Sequence, residues 1–148
     1  MEDPHDLERF VAAQDNGGIY DQALAELQNG SKRSHWMWFI FPQLTGLGQS
    51  ATSKRYAIRS LDEATAYLQH PVLGPRLIEC ADTVGTLNDV TAEEIFGSVD
   101  ARKLHSSMTL FLRAAPGETA FKQVLSRFFD GEPDPATDEL LRAQRLHS

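Results

Sequence analysis

Lys32-Arg33-Ser34-His35-Trp36-Met37-Trp38-Phe39-Ile40-Phe41-Pro42-Gln43 is the stretch that decides how this chain folds. Both tryptophans lie in it, with Phe39 and Phe41 beside them. So short an apolar run reads equally as a strand or as a buried helix, because its periodicity does not separate the two. Its surroundings decide the matter. No second strand offers a partner, Ser34 is placed to cap a helix, and Pro42 limits the run to under two turns. The reading is a short, nearly fully buried helix. On it Trp36, Phe39 and Ile40 share one face, Met37 and Phe41 lie close together, and Trp38 points elsewhere.

Outward from that run the pattern is helical. Leu7, Phe10 and Val11 make one apolar stripe. Tyr20, Ala23, Leu24 and Leu27 make a second, ended by Asn29-Gly30, with Asp15-Asn16-Gly17-Gly18 as the turn between them. Ser60-Leu61-Asp62-Glu63 has the form of a capping box, and His70-Pro71 ends the helix that it opens. Pro71 then suits the start of a helix with Val72, Leu73, Leu77, Ile78 and Ala81 inward. Thr91-Ala92-Glu93-Glu94 is a second capping box, opening a short helix to Phe96-Gly97. A longer helix follows from about Val99 to Arg113, and Ala115-Pro116-Gly117 is a turn. Phe121, Val124, Leu125 and Phe128 mark the next helix, and Thr137 to Gln144 the last. The expectation is an all-α chain, residues 1–148 forming a single compact domain of about seven to eight helices.

Composition bounds the function. At 148 residues the chain suits one domain, and 41% hydrophobic with 24% charged residues is ordinary for a soluble protein. Cys80 is the sole cysteine, which excludes an internal disulfide and a cysteine-based zinc cage. The acidic start, Met1 to Asp6, lacks the apolar segment of a signal peptide, and no run approaches a membrane span. The expected setting is cytoplasmic, with no membrane, metal or cofactor. A net charge of −7 argues against general nucleic-acid binding. That charge is uneven. Leu27 to Leu61 holds no Asp or Glu, where about five are expected by chance, yet it carries Lys32, Arg33, Lys54, Arg55 and Arg59.

Several residues in and around this span carry candidate chemistry. An indole, Trp36 or Trp38, suits stacking on a planar ligand. Gly46-Leu47-Gly48-Gln49-Ser50 is neither a Walker loop nor a Rossmann fingerprint, but its backbone and Ser50 suit an anion. The competing reading is an ordinary loop capped by Ser50. Gln43 suits an amide or base edge. His35 and His70 are candidate proton carriers or backbone anchors. Asp100, Lys103, Ser106 and Ser107 share one helix, with Lys103 beside a serine or simply paired with Asp100. No Ser-His-Asp set or nucleophile elbow is present.

His35 through Gln43, together with Gly46-Leu47-Gly48, Tyr56-Ala57-Ile58, His70 through Gly74, Ile95-Phe96-Gly97 and Ser106 through Phe111, resembles the family catalogued as domain of unknown function 1810. The resemblance covers nearly the whole chain and implies a compact multi-helical domain, but no activity. The functional expectation therefore comes from the residues: a small anionic, partly planar ligand, nucleotide-like or a phosphorylated metabolite. Its site would draw on Lys32, Arg33, His35, Trp36, Trp38, Gln43, Gly46, Gly48, Ser50, Lys54 and Lys103. The alternative expectation is a protein-interaction module with an exposed aromatic patch.

Overall fold

The computed structural model describes residues 3–146. Its helices are α1 (Glu8–Asp15), α2 (Ile19–Gln28), α3 (Met37–Ile40), α4 (Ala51–Arg55), α5 (Leu61–Gln69), α6 (Leu73–Gly85), α7 (Ala92–Ala114), α8 (Thr119–Phe128) and α9 (Pro135–Leu146). A single 3-10 turn, Asn16–Gly18, joins α1 to α2. The all-α class expected from periodicity is the class observed. Among the described residues no helix is long and apolar enough to cross a membrane.

Side-chain caps set most helix starts. The Asp3 carboxylate accepts from the amides of Leu7 and Glu8 ahead of α1. Those bonds hold its pKa below the usual carboxylate range. His70 Nδ1 accepts from the amides of Val72 and Leu73 at 3.1 and 3.3 Å, so this histidine anchors backbone at the entry to α6. Pro71 lies before that helix, which begins at Leu73. At α7 the box expected from Thr91 and Glu94 closes in both directions. The one at Ser60 is only half made. Ser60 accepts from the Glu63 amide at 3.1 Å, but the Glu63 carboxylate turns away toward two arginines.

The helices read at Thr91 and at Val99 follow one another within α7, broken at Gly97. There φ is +81° and ψ 163°, a conformation open only to glycine. Ser34, expected to cap the aromatic helix, lies two residues too early. The residue before α3 is Trp36, and Ser34 is instead bonded to Glu26.

One hydrophobic core runs through the helices. α7 packs on α5, α8 and α9, α6 packs on α2, α5 and α8, and α1 packs on α2 and α3. Phe10, Tyr67, Phe111 and Phe121 form a contiguous aromatic row, with ring centroids 5.2, 5.3 and 5.9 Å apart in turn. Tyr67 is fully buried and its hydroxyl accepts from Gln14 Nε2, which keeps a buried polar atom partnered. Burial pushes the Tyr67 phenol upward and the Cys80 thiol up to about 12, so Cys80 is an unreactive core thiol.

Arg9 ties this core to the chain around it. Its guanidinium donates to five acceptors, the carbonyls of His5, Asp6, Arg55 and Ala57 and the Glu63 carboxylate, all within 2.9 Å. The Arg9 side chain is 7% exposed and that of Glu63 1%. Arg59 completes the group at 3.0 Å from Glu63. Removing one partner of a buried pair strands the other charge. Arg9→Met is expected to cost about 3 kcal/mol and to lower the melting temperature by roughly 10 °C, read by calorimetry.

Candidate functional site

The segment after the aromatic helix leaves the core and returns to it. Ile58 N donates to Gln43 O and Thr45 N to Ile58 O, both at 2.8 Å, pairing Leu44 with Ile58 in parallel. Everything between is a closed excursion with its ends pinned together, the form of an Ω-loop. Gly46 sits at φ +100°, in the region that favours glycine. Gly48 packs so tightly on Ser53 that a Cβ there would lie 2.5 Å from the serine Cβ. The five-residue α4 is capped by Ser50, whose Oγ accepts from Ser53 N at 3.0 Å. That bond uses an amide that an anion would otherwise meet.

Beneath this loop lies a cavity of about 20 Å³, room for one water. Trp38, Gln43, Gly46, Gly48, Lys54 and Lys103 all line it, together with Ser53 and Tyr56. Met37 and Trp38 of α3, Phe41, Gln43 and Leu44 beyond it, and Lys103 of α7 line it together with the loop. Trp38 is half-buried, donates from Nε1 to Ser53 Oγ at 3.2 Å, and carries the Lys103 ammonium 4.9 Å from its ring centroid. Gln43 Nε2 donates to Ser106 Oγ at 2.6 Å, and Ser106 donates to the Lys103 carbonyl. Indole, amide and ammonium therefore converge across some sixty residues of sequence.

The remaining expected residues lie outside that lining. Trp36 is 1% exposed and its Nε1 donates to Glu26 at 2.9 Å. Lys32 has 8% of its side chain exposed, lies over the Trp36 ring, donates to the Ser34 carbonyl and pairs with Asp100 at 3.0 Å. Asp100 also pairs with Lys103 at 3.3 Å. One carboxylate thus serves two ammoniums, each set against an indole, and the group carries one surplus positive charge. Arg33 and His35 are exposed. Ser106 is bonded as above, and the fully buried Ser107 Oγ has no hydrogen-bond partner among the described residues.

A second pocket, of about 140 Å³, shares Lys54 and Ala57 with the first and was not legible in the sequence. Asp6, Arg9, Lys54, Arg55, Ala57 and Arg59 line it. It gathers three of the five bases of the acid-free span with Arg9, whose distance along the chain hid it. A wider groove of about 610 Å³ lies between the start of α5 and α9, with Arg113 held there by both oxygens of Asp138.

The family model described as "Protein of unknown function (DUF1810)" matches residues 4–141. The chain is also similar to the crystal structure of the conserved hypothetical protein Rv1873 from Mycobacterium tuberculosis, at 51% identity and a TM-score of 0.92. That likeness covers 95% of this chain and 99% of the other. No curated protein matches.

Glu26 anchors the strap that carries Lys32 and Trp36 toward the site. Burial alone would raise its pKa, but bonds from the Ser34 hydroxyl, the Arg33 and Ser34 amides and the Trp36 indole prevail and hold it at about 2. A carboxylate depressed from 4.5 stabilises the fold fully above that pH and loses its contribution as pH falls toward 2. Glu26→Gln is therefore expected to lower urea resistance at pH 7 and to lose less between pH 5 and 2 than the unaltered chain does. Gly48→Ala forces the loop off Ser53. We expect faster acrylamide quenching of Trp38 in a Trp36→Phe background, with near-unchanged melting.

Proposed function

The chain belongs to the DUF1810 family of proteins of unknown function, and for it we propose binding of a small anionic ligand with a planar portion, nucleotide-like or a phosphorylated metabolite. The observation that carries this reading is the meeting of Trp38, Gln43, Lys54 and Lys103 around one cavity under a closed loop. The Lys103 ammonium lies over the Trp38 face, which becomes a stacking wall when Lys103 turns to meet the ligand's charge. Gln43 brings an amide to the same wall. A cavity of one water's volume does not admit such a ligand, so binding requires the loop to lift. Its construction favours that motion: α4 is too short to be stable by itself, and Leu47 is the one large apolar side chain that the roof packs on the core. Lys54, on that roof, makes no ion pair with any described residue and can follow the ligand.

This assigns Lys32 and Trp36 a supporting role. Lys32 holds Asp100, and Asp100 in turn fixes Lys103 beside Trp38. A cytoplasmic setting belongs to the same reading, supported by the free Cys80 thiol. The interaction-module alternative asks for exposed aromatics. The large hydrophobics exposed among the described residues are Leu61, Val99 and Leu146, none of them aromatic, which favours the ligand.

The test is thermal-shift measurement with AMP, a sugar phosphate and an aromatic carboxylate, repeated on Trp38→Ala and Lys103→Met. At a hundredfold excess over Kd a true ligand stabilises by about 2.7 kcal/mol, a rise of several degrees. We expect at least one of these compounds to do so and both substitutions to remove most of the rise. A rise that survives both would remove the assignment to this cavity.

A further inference from the structure

We propose that the pocket of Arg9, Lys54, Arg55 and Arg59 seats a phosphoryl group belonging to the same ligand whose planar part lies against Trp38. This rests on the reading above and specifies its ligand as a phosphorylated planar compound. Lys54 and Ala57 line both pockets, so the two are neighbours with a shared wall. A molecule entering under the lifted loop at Trp38 has its other end at Lys54.

The charge matches. Four basic side chains line the pocket with one carboxylate, Asp6, and Glu63 lies behind, paired with Arg9 and Arg59. The formal sum of these six groups is +2, which suits a phosphate ester near its dianionic state. The volume, about 140 Å³, holds several waters and suits one or two phosphoryl groups. The donors divide their work. All of Arg9's bonds are spent on protein acceptors, so it contributes a fixed field and a rigid wall. Arg59 spends Nε on Glu63 and one terminal nitrogen on the His5 carbonyl. Its remaining nitrogen and the Lys54 ammonium face the anion, joined by the exposed Arg55 guanidinium, which rests against the Tyr56 side chain.

Asp6 is the informative group. It lines the pocket as the sole carboxylate there and opposes any anion. Its backbone lies at φ +50°, which asparagine tolerates, and its carbonyl bond to Arg9 is untouched by a change of side chain. Asp6→Asn therefore removes a charge while keeping the fold, and a gain of affinity cannot arise from damage.

Isothermal titration of the full chain with AMP, adenosine and pyrophosphate at low salt tests the assignment. We expect Asp6→Asn to tighten AMP and pyrophosphate about threefold and Arg55→Gln to weaken both about tenfold, with adenosine unchanged by either. Trp38→Phe should weaken AMP and adenosine and leave pyrophosphate alone. Failure of pyrophosphate to bind, or AMP affinity indifferent to both Asp6→Asn and Arg55→Gln, overturns the phosphoryl seat while leaving the Trp38 wall standing. Responses to those two substitutions with indifference to Trp38→Phe support the seat and overturn the wall instead.

Discussion

A single guanidinium organises the part of this molecule around the candidate site. Arg9 reaches from α1 to the start of the chain, to the returning limb of the Ω-loop at Arg55 and Ala57, and to Glu63 on α5. Two stretches of chain some fifty residues apart are joined by one rigid fork with every donor used. A buried charge is tolerated only when paired and fully bonded, and Arg9 with Glu63 meets that condition. The consequence is an uneven loop. Its base, pinned by Arg9 and by the Leu44–Ile58 pairing, is part of the core, while its roof rests on a one-turn helix and tight glycine contacts. A fixed base with a light roof is how a fold leaves a cavity closed and yet openable.

The two tryptophans of the opening stretch divide along the same line. Trp36 is sealed in the core with its N–H spent on Glu26, whereas Trp38 faces the loop and meets Lys103. Asp100, between Lys32 and Lys103, connects the sealed side to the open side. Lys32 is nearly buried, and Lys103 retains 21% exposure, so it is Lys103 whose charge is available at the cavity. The candidate site is thus an outer layer on a core motif, with Lys103 held by the partly buried Asp100 and Gln43 by the buried Ser106.

Much of this was legible from local pattern. The all-α class, the burial of Trp36, Met37, Ile40 and Phe41, the anchoring by His70 and the break at Gly97 all follow from periodicity, capping and glycine chemistry. What failed was non-local. Ser60 and Thr91 head the same capping pattern, yet only Thr91 completes it, because Glu63 is claimed by Arg9 and Arg59, and no local rule foresees that competition. The acid-free span marked five bases as one feature. The fold sends Lys32 to Asp100, leaves Arg33 on the surface, and gathers Lys54, Arg55 and Arg59 around Arg9. Six of the eleven expected site residues line the cavity because they sit on the loop or face it: Trp38, Gln43, Gly46, Gly48, Lys54 and Lys103. Ser50 is used as a cap, and the Lys32–Trp36 side forms the support behind.

The central claim is that the roof of the loop opens without unfolding the core beneath it. Amide hydrogen exchange on the ligand-free chain measures this directly, since local opening and global unfolding give different rates at neighbouring amides. The informative amides are bonded ones: Ser53 and Lys54 in the roof against Thr45 and Ile58 at the base. The account predicts exchange at Ser53 and Lys54 many times faster than at Thr45 and Ile58, with the base as protected as α7. Equal, core-like protection at all four would mean that the roof lifts only when the protein unfolds, and would contradict it.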